Sequence, residues 1–225
     1  MIKKTAILFV IIILLVILAF WSPWASLQFS FLDLLGLKQD NKYSGLQVYS
    51  LQGEVDVYVD DEFVGSVNVD GSPLDIFEIS PGMHMITIKR AEDENNFFYK
   101  FSKWVNFVEG INTVVAYELG PSEEYSAGYI IYAQDKLQED SLLHIQTIPE
   151  DTAIFINGDD VGSSPLFNYK LDLSNTYNIL IKHDGYEDIE FKLLPEDEKE
   201  RELIKRYDLT VEVNLFAYPI DIKLE

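Results

Sequence analysis

The chain contains one sequence pattern twice. LQVYSLQGEVDVYVDDEFVG, from Leu46 to Gly65, aligns without gaps at an offset of 97 residues with LHIQTIPEDTAIFINGDDVG, from Leu143 to Gly162. The first copy then carries a five-residue insertion, and the copies rejoin where Pro73 matches Pro165 and where ITIK at 86–89 matches ILIK at 179–182. A repeat of this length exceeds one solenoid unit, so each copy is expected to build its own core.

Short runs in which apolar and polar residues alternate, separated by Gly, Pro, Asn and Asp, indicate antiparallel β-structure. The clearest runs are at 55–59, 84–88, 154–156, 178–182 and 209–215. We therefore predict an all-β chain in which two tandem small antiparallel β-sandwich domains follow one N-terminal transmembrane helix. Their predicted bounds are 45–118 and 142–218.

The segments around these domains have their own expected roles. Residues 119–141 are predicted to be a linker with one embedded strand, Tyr129 to Ala133, which pairs with a domain edge. Because the linker is rich in Glu, Ser and Gly, it should permit relative motion of the domains. The acidic run at 195–202 is expected to be a solvated hairpin loop or a single helical turn, and residues 219–225 are a C-terminal tail.

The N-terminal segment has the length and composition of a membrane anchor. Residues 5–24 are almost wholly apolar, and 20 residues of helix span a hydrocarbon core of roughly 30 Å. Lys3 and Lys4 predict that residues 1–4 lie in the cytoplasm and that everything after the anchor lies outside it. A cleaved signal peptide is the alternative, but its small-x-small cleavage pattern is missing.

Residues 25–44 link this anchor to the first repeat. They are expected to form a juxtamembrane stalk, in which 27–37 could instead lie as a short helix in the membrane interface.

Charge and cysteine content exclude several classes of function. The chain has 38 Asp and Glu against 17 Lys and Arg, a net charge of −21, and residues 33–225 carry −23. Such a surface repels phosphate backbones, so no nucleic-acid partner is expected. With no cysteine there is no disulfide framework, thiolate nucleophile or Cys-based zinc site.

The second copy also resembles the PEGA domain, a small β-sandwich module of envelope-associated proteins. Pro149 and Glu150 match the first two letters of the family name, while Asp151 and Thr152 stand where Gly and Ala are typical. The remaining matches are at turns: Asn157 and Gly158, which suit a type I′ hairpin turn, then Gly162, Pro165, Gly185 and Tyr186.

The first copy is a more diverged relative of the same pattern. Gln52 replaces the proline and Asp61 replaces the turn glycine. Gly65 and Pro73 are retained, and Pro81 with Gly82 is similar to the family's Pro-Gly turn. All these positions are predicted to determine turns and fold. The resemblance implies an extracytoplasmic spacer or adhesive unit without catalytic apparatus.

The sequence contains no recognisable catalytic motif. The three histidines, His84, His144 and His183, show no metal-ligand spacing, and no nucleophile elbow, P-loop or dinucleotide motif is present. The acids at 60–62 and 159–160 lack calcium-loop spacing and suit turns, although weak divalent-cation association with so acidic a surface stays open. We predict no enzyme activity, cofactor or metal site.

The sequence therefore predicts a membrane-anchored structural or adhesive protein of the cell envelope, whose partners are the membrane and envelope proteins or cell-wall glycan. The outward second copy is expected to meet those partners. The alternative is a glycan- or peptidoglycan-binding module that uses exposed aromatic residues. The candidate rings are Tyr125, Tyr129, Tyr132 and those of the stretch NNFFYKFSKW from Asn95 to Trp104. In that stretch Phe97, Tyr99 and Phe101 alternate with Phe98 and Lys100, so one face is expected to enter the core and the other to be exposed. Core packing is the competing use of all these rings.

Overall fold

The computed structural model describes residues 43–50, 52–68, 72–91, 93, 95–136, 138–194 and 198–218. The predicted anchor, the tail at 219–225 and all of the stalk before Tyr43 lie outside these residues. No helix among the described ones combines the length and apolarity needed to cross a bilayer.

The prediction of an all-β chain is confirmed for the described part. The strands of the first copy are β1 Ser44–Ser50, β2 Val55–Val59, β3 Glu62–Val67, β4 Leu74–Ile79, β5 Gly82–Arg90, β6 Phe101–Phe107 and β7 Asn112–Glu118. Strand β8 spans Ala127–Asp135. The second copy contains β9 Leu142–Ile148, β10 Ala153–Ile156, β11 Asp159–Ser163, β12 Leu166–Lys170, β13 Tyr177–Lys182, β14 Ile189–Leu193 and β15 Tyr207–Asn214. Of the two structures expected for 195–202, a hairpin loop or a single helical turn, the structure has the helical one, as helix α1, Glu198–Ile204, which extends beyond a single turn.

The two copies repeat the same arrangement of strands. Each contributes a four-stranded sheet, ordered β3-β2-β5-β6 in the first copy and β11-β10-β13-β14 in the second. Each also contributes three strands to a seven-stranded sheet ordered β12-β9-β15-β8-β7-β1-β4. That shared sheet is mixed, because β1 runs parallel to β7 and β9 runs parallel to β15.

Strand β8 joins the copies into one body. It pairs antiparallel with β7 on one side and with β15 on the other. Alternate residues of a strand point to opposite faces. Ile130 and Tyr132 accordingly pack against the core of the first copy, whereas Tyr129, Ile131 and Ala133 pack against the core of the second. The two four-stranded sheets therefore cover opposite faces of the shared sheet.

The segment before β8 is held in place by side-chain hydrogen bonds. The Asn214 side chain donates from Nδ2 to the carbonyl oxygens of Glu123 and Ser126, at 2.9 and 2.7 Å. The fully buried hydroxyl of Ser126 accepts from the Gly120 amide and donates to the Ser122 carbonyl.

The strand predicted at 129–133 lies within β8, and it pairs with an edge strand of each copy, β7 and β15, where the sequence predicts pairing with one domain edge. It lies in the interior of the sheet, and hydrogen bonds along both of its sides oppose the relative motion expected of a linker.

The first hairpin of each copy has the same turn. Asn157 and Gly158 have φ values of 53° and 88°, the positive values that a type I′ turn requires, and Asp60 and Asp61 have 51° and 65°. The side chain of Asp60 accepts a hydrogen bond from the Met85 amide at 2.8 Å, as that of Asn157 does from the Asn178 amide at 2.8 Å. The two copies therefore share this turn-to-strand hydrogen bond as well as the sequence pattern.

Candidate functional site

The outer face of the β3-β2-β5-β6 sheet exposes a set of large apolar side chains to solvent. Along β5, Ile86 and Ile88 are buried in the core, so the intervening side chains point away from it. Met85 lies opposite Trp104, and Met83 lies opposite Asn106, on the outward face of β5 and β6. The alternation that builds the core therefore also turns this apolar set toward solvent.

Aromatic side chains extend this set across the sheet. Tyr58 on β2 lies opposite Phe63 on β3, and their ring centroids are 5.6 Å apart in an edge-to-face contact. Phe63 is 55% exposed, and Met83 and Trp104 are each 58% exposed. We call these residues the aromatic face: Tyr58, Phe63, Met83, Met85 and Trp104. It crosses all four strands, a width of roughly 14 Å at the usual strand spacing.

Two polar contacts lie among the rings and thioethers of this face. The hydroxyls of Thr87 and Ser102, which lie opposite each other on β5 and β6, are 3.1 Å apart. The Lys89 ammonium lies 4.5 Å from the centroid of the Tyr58 ring, a cation–π contact. The centre of the face thus presents ring and thioether surface rather than free hydrogen-bonding groups.

The second copy shows that the fold does not need apolar side chains at three positions of this face. The hairpin pairing places Asp160 where the first copy has Phe63, and Asn178 stands where the first copy has Met85. Lys192 lies opposite Asn178, as Trp104 lies opposite Met85. The same architecture is therefore built with polar side chains at all three positions.

Carboxylates border the aromatic face at the β2–β3 turn. Asp60, Asp61 and Glu62 are all exposed. Asp60 contacts His84, whereas Asp61 and Glu62 form no ion pair with any described residue. The Met85 amide, and after it the His84 ring, hold the pKa of Asp60 below its ordinary value. This border is negative at neutral pH.

A Ser-His-Asp contact lies beneath this turn, and its geometry opposes nucleophilic catalysis. His84 Nδ1 is 2.6 Å from Asp60 Oδ2, while Nε2 is 3.2 Å from the Ser80 hydroxyl and 2.8 Å from the Ser80 carbonyl oxygen. A catalytic Nε2 must accept the serine proton, but a carbonyl oxygen only accepts and so orients an Nε2–H toward itself. The ring instead ties the β2–β3 turn to the loop before β5.

The other two histidines are far from this contact in the fold. His144 Nδ1 accepts a hydrogen bond from the Asn168 amide at 3.3 Å, and its ring lies 6.0 Å from that of Phe167. His183 Nδ1 is 2.9 Å from the Asp184 carbonyl oxygen. Within the described ranges, no three His, Asp or Glu side chains converge as a metal site requires.

The rings singled out from the sequence do not share one face. Tyr129 stacks on Phe191 at 4.5 Å between the sheets, and the Tyr132 hydroxyl donates to Glu212 at 2.7 Å. Tyr125 is 42% exposed and lies outside the four-stranded sheets.

The rings of the run that leads into β6 are likewise divided between the surface and the core. Phe97 is exposed, Phe101 is buried in the core, and Tyr99 packs partly against that core.

Each four-stranded sheet covers the strands of its own copy on one face of the shared sheet and leaves the rest of that face uncovered. A groove lies at each of these two borders. One, of about 550 Å³, is lined by Gln146, Ile148 and Phe167 and by the Lys103–Glu212 ion pair. The other, of about 650 Å³, is largely apolar and includes Tyr49, Phe77 and Leu203 among its lining residues.

Most turn positions of the family resemblance lie between strands or at their ends, whereas Gly65 and Gly162 lie within strands. Pro149 and Pro165 follow the cis peptide bonds Ile148–Pro149 and Ser164–Pro165. Tyr186 forms a bridge with Ala217. The remaining turn residues are placed as follows: Gly162 within β11, Gly65 within β3, Pro73 just before β4, Pro81 and Gly82 at the start of β5, and Gly185 in the β13–β14 connection. None of these residues belongs to the aromatic face.

Comparison with protein families identifies the second copy. Residues 141–213 match the family model described as PEGA domain, which covers about a third of the chain. The comparison with curated proteins gave no match. The match confirms the resemblance drawn from the Pro149–Tyr186 motifs.

Proposed function

We propose, from the premise that residues 141–213 are a PEGA domain, that this protein is a non-catalytic adhesive or structural protein of the cell envelope. Residues 5–24 anchor it in the membrane, residues 1–4 lie in the cytoplasm, and the two copies lie outside. The first copy is a diverged module of the same family, which its matching strand order supports.

The observation that carries this proposal is the aromatic face. Exposed apolar patches with polar borders mark interaction sites in soluble domains. Here the second copy carries polar residues at the positions equivalent to Phe63, Met85 and Trp104, so folding alone does not explain these three side chains. Whereas the sequence favoured the second copy as the partner-binding one, this face favours the first.

The joined architecture supports a mechanical or holding role. A shared sheet transmits load through strands that are hydrogen-bonded along their length, and β8 is paired on both sides. The Lys103–Glu212 ion pair further links the first four-stranded sheet to β15 of the second copy. A partner bound at one copy is thereby held rigidly to the other.

A glycan-binding module is the second candidate function. Sugar rings stack on flat aromatic side chains, and Tyr58 and Trp104 offer such rings on one sheet face. This candidate and the adhesive one predict the same contact surface and differ in the partner.

Retention on isolated cell-envelope material tests the proposal. The variant Phe63→Asp/Met85→Asn/Trp104→Lys carries the residues of the second copy at equivalent positions and leaves the net charge unchanged. Lys192→Ala, at the second-copy position equivalent to Trp104, is the matched control. We expect the triple variant to lose most of its retention, by about ten-fold or more, and the control to keep it. Equal retention of all three proteins would contradict the proposal.

A further inference from the structure

We infer that the aromatic face binds a protein surface in which apolar side chains are bordered by Lys and Arg; this inference rests on the proposed adhesive function and names its partner. Aromatic residues and Met are enriched at the centres of protein–protein interfaces, and Trp and Tyr dominate their energetic hot spots. The aromatic face has this composition, with Trp104 and Phe63 near its two edges and Met85 between them.

The centre of the face, inside its carboxylate border, favours a protein over a glycan. A sugar ring carries hydroxyls that need hydrogen-bond partners beside the stacking ring. The Thr87 and Ser102 hydroxyls are paired with each other, and Thr87 is only 2% exposed. Met83 and Met85 instead offer flexible thioethers, which adapt to irregular apolar surfaces.

Charge complementarity specifies the border of the partner. The exposed carboxylates of Asp61 and Glu62 form no ion pair with the described residues, and Asp56 on β2 adds a third carboxylate across from Lys89. The whole chain carries −21, so a basic partner is attracted at long range and an acidic one is repelled. The apolar centre supplies affinity, and the acidic border selects a basic surface.

A defined set of probes tests this inference on the full chain in discs of neutral lipid. Trp21→Phe and Trp24→Phe leave Trp104 as the one tryptophan of the chain, so its fluorescence reports contact at the face. The probes are a short peptide of alternating Leu and Lys, its Ser/Lys and Leu/Glu counterparts, and a neutral oligosaccharide. Empty discs with each probe control for binding to lipid.

We expect the Leu/Lys peptide to shift Trp104 emission to the blue. Its affinity should exceed that of either counterpart by about ten-fold or more. Phe63→Ser/Met85→Asn, which keeps both Trp104 and the net charge, should abolish this preference over the Ser/Lys peptide. Asp61→Asn/Glu62→Gln should weaken binding of the Leu/Lys peptide and reduce its salt dependence.

Three results would overturn the inference. Equal binding of the Ser/Lys and Leu/Lys peptides would reduce the contact to charge alone. A shift produced by the oligosaccharide and not by the peptides would make the face a glycan site and favour the second candidate function. If no probe moves Trp104 emission, the basic protein partner is wrong, and envelope retention then decides separately whether the adhesive function is wrong as well.

Discussion

Replacing Gly128 by alanine should destabilise the whole protein, because this glycine lies in β8 where the two copies join. Gly128 has a φ of +152°, and a Cβ there would lie 2.1 Å from the Ala116 carbonyl oxygen and 2.7 Å from the Tyr117 Cα. Both neighbours are backbone atoms of β7, so relief requires the strands to separate. Strain at such a φ costs about 1–3 kcal/mol, and overpacking adds about 1–3 kcal/mol. We expect a loss of about 4 kcal/mol in the free energy of unfolding.

Gly185→Ala is the matched control for this substitution. Gly185 also has a positive φ, +86°, but a Cβ there would meet no atom within 4 Å, so only the backbone strain of about 1–2 kcal/mol remains. Urea unfolding followed by circular dichroism measures both variants. If residues 119–141 were a flexible connector, Gly128→Ala would cost no more than Gly185→Ala, and the interior, doubly paired position of β8 would be refuted.

The remaining predictions concern the turns, the contact between copies and pH. Asp61 and Gly158 both have positive φ, so Asp61→Gly should stabilise the protein by about 0.5–1 kcal/mol and Gly158→Val should destabilise it by about 1–2 kcal/mol. Melting temperatures that shift in the same direction for both variants would contradict this. A double-mutant cycle of Lys103→Met and Glu212→Gln should give a coupling energy of up to about 1 kcal/mol, whereas independent copies would give none. Asp60 has a lowered folded-state pKa, so its contribution is present above its ordinary value of 3.8 and is lost as the pH falls through the folded-state pKa. Asp60→Asn should therefore flatten the loss of stability below about pH 4, and an unchanged slope in acid unfolding titrations would show that another group is responsible.

The hairpin turns could be predicted from the sequence because their determinants are local. Asn157 and Gly158 tolerate positive φ by their own chemistry, and the gapless repeat extends the same turn to Asp60 and Asp61. The PEGA resemblance rested on such turn residues, which explains why it identified the fold of the second copy.

The position of β8 could not be predicted in the same way. The continuous apolar run from Tyr129 to Ala133 indicates a strand that is buried on both faces, but it does not show which strands pair with it on either side. Its partners are β7 and β15, the second of which is some 80 residues away in the sequence.

Trp104 lies within the candidate stretch from Asn95 to Trp104, but the other residues of the aromatic face are not among the candidate rings. An alternation that places Phe97, Tyr99 and Phe101 together directs attention to the residues before the strand, whereas β6 begins at Phe101 and turns Trp104 outward. A usable signal was present in the repeat alignment, where Phe63 matches Asp160 and Met85 matches Asn178. Such differences at outward positions of a shared fold point to function in one copy.

Thiol labelling in intact cells tests most directly whether the aromatic face is the surface that binds in the envelope. The chain has no cysteine, so Ser102→Cys places a single thiol beside Trp104, and Glu190→Cys places one at the equivalent position of the second copy. With a membrane-impermeant maleimide, we predict that Cys at 190 reacts in intact cells as fast as in purified protein, whereas Cys at 102 is protected in cells and reacts once the protein is purified. Equal labelling of both thiols in cells and in purified protein would contradict a binding role for the aromatic face, and no labelling of either thiol in intact cells would contradict the proposed orientation.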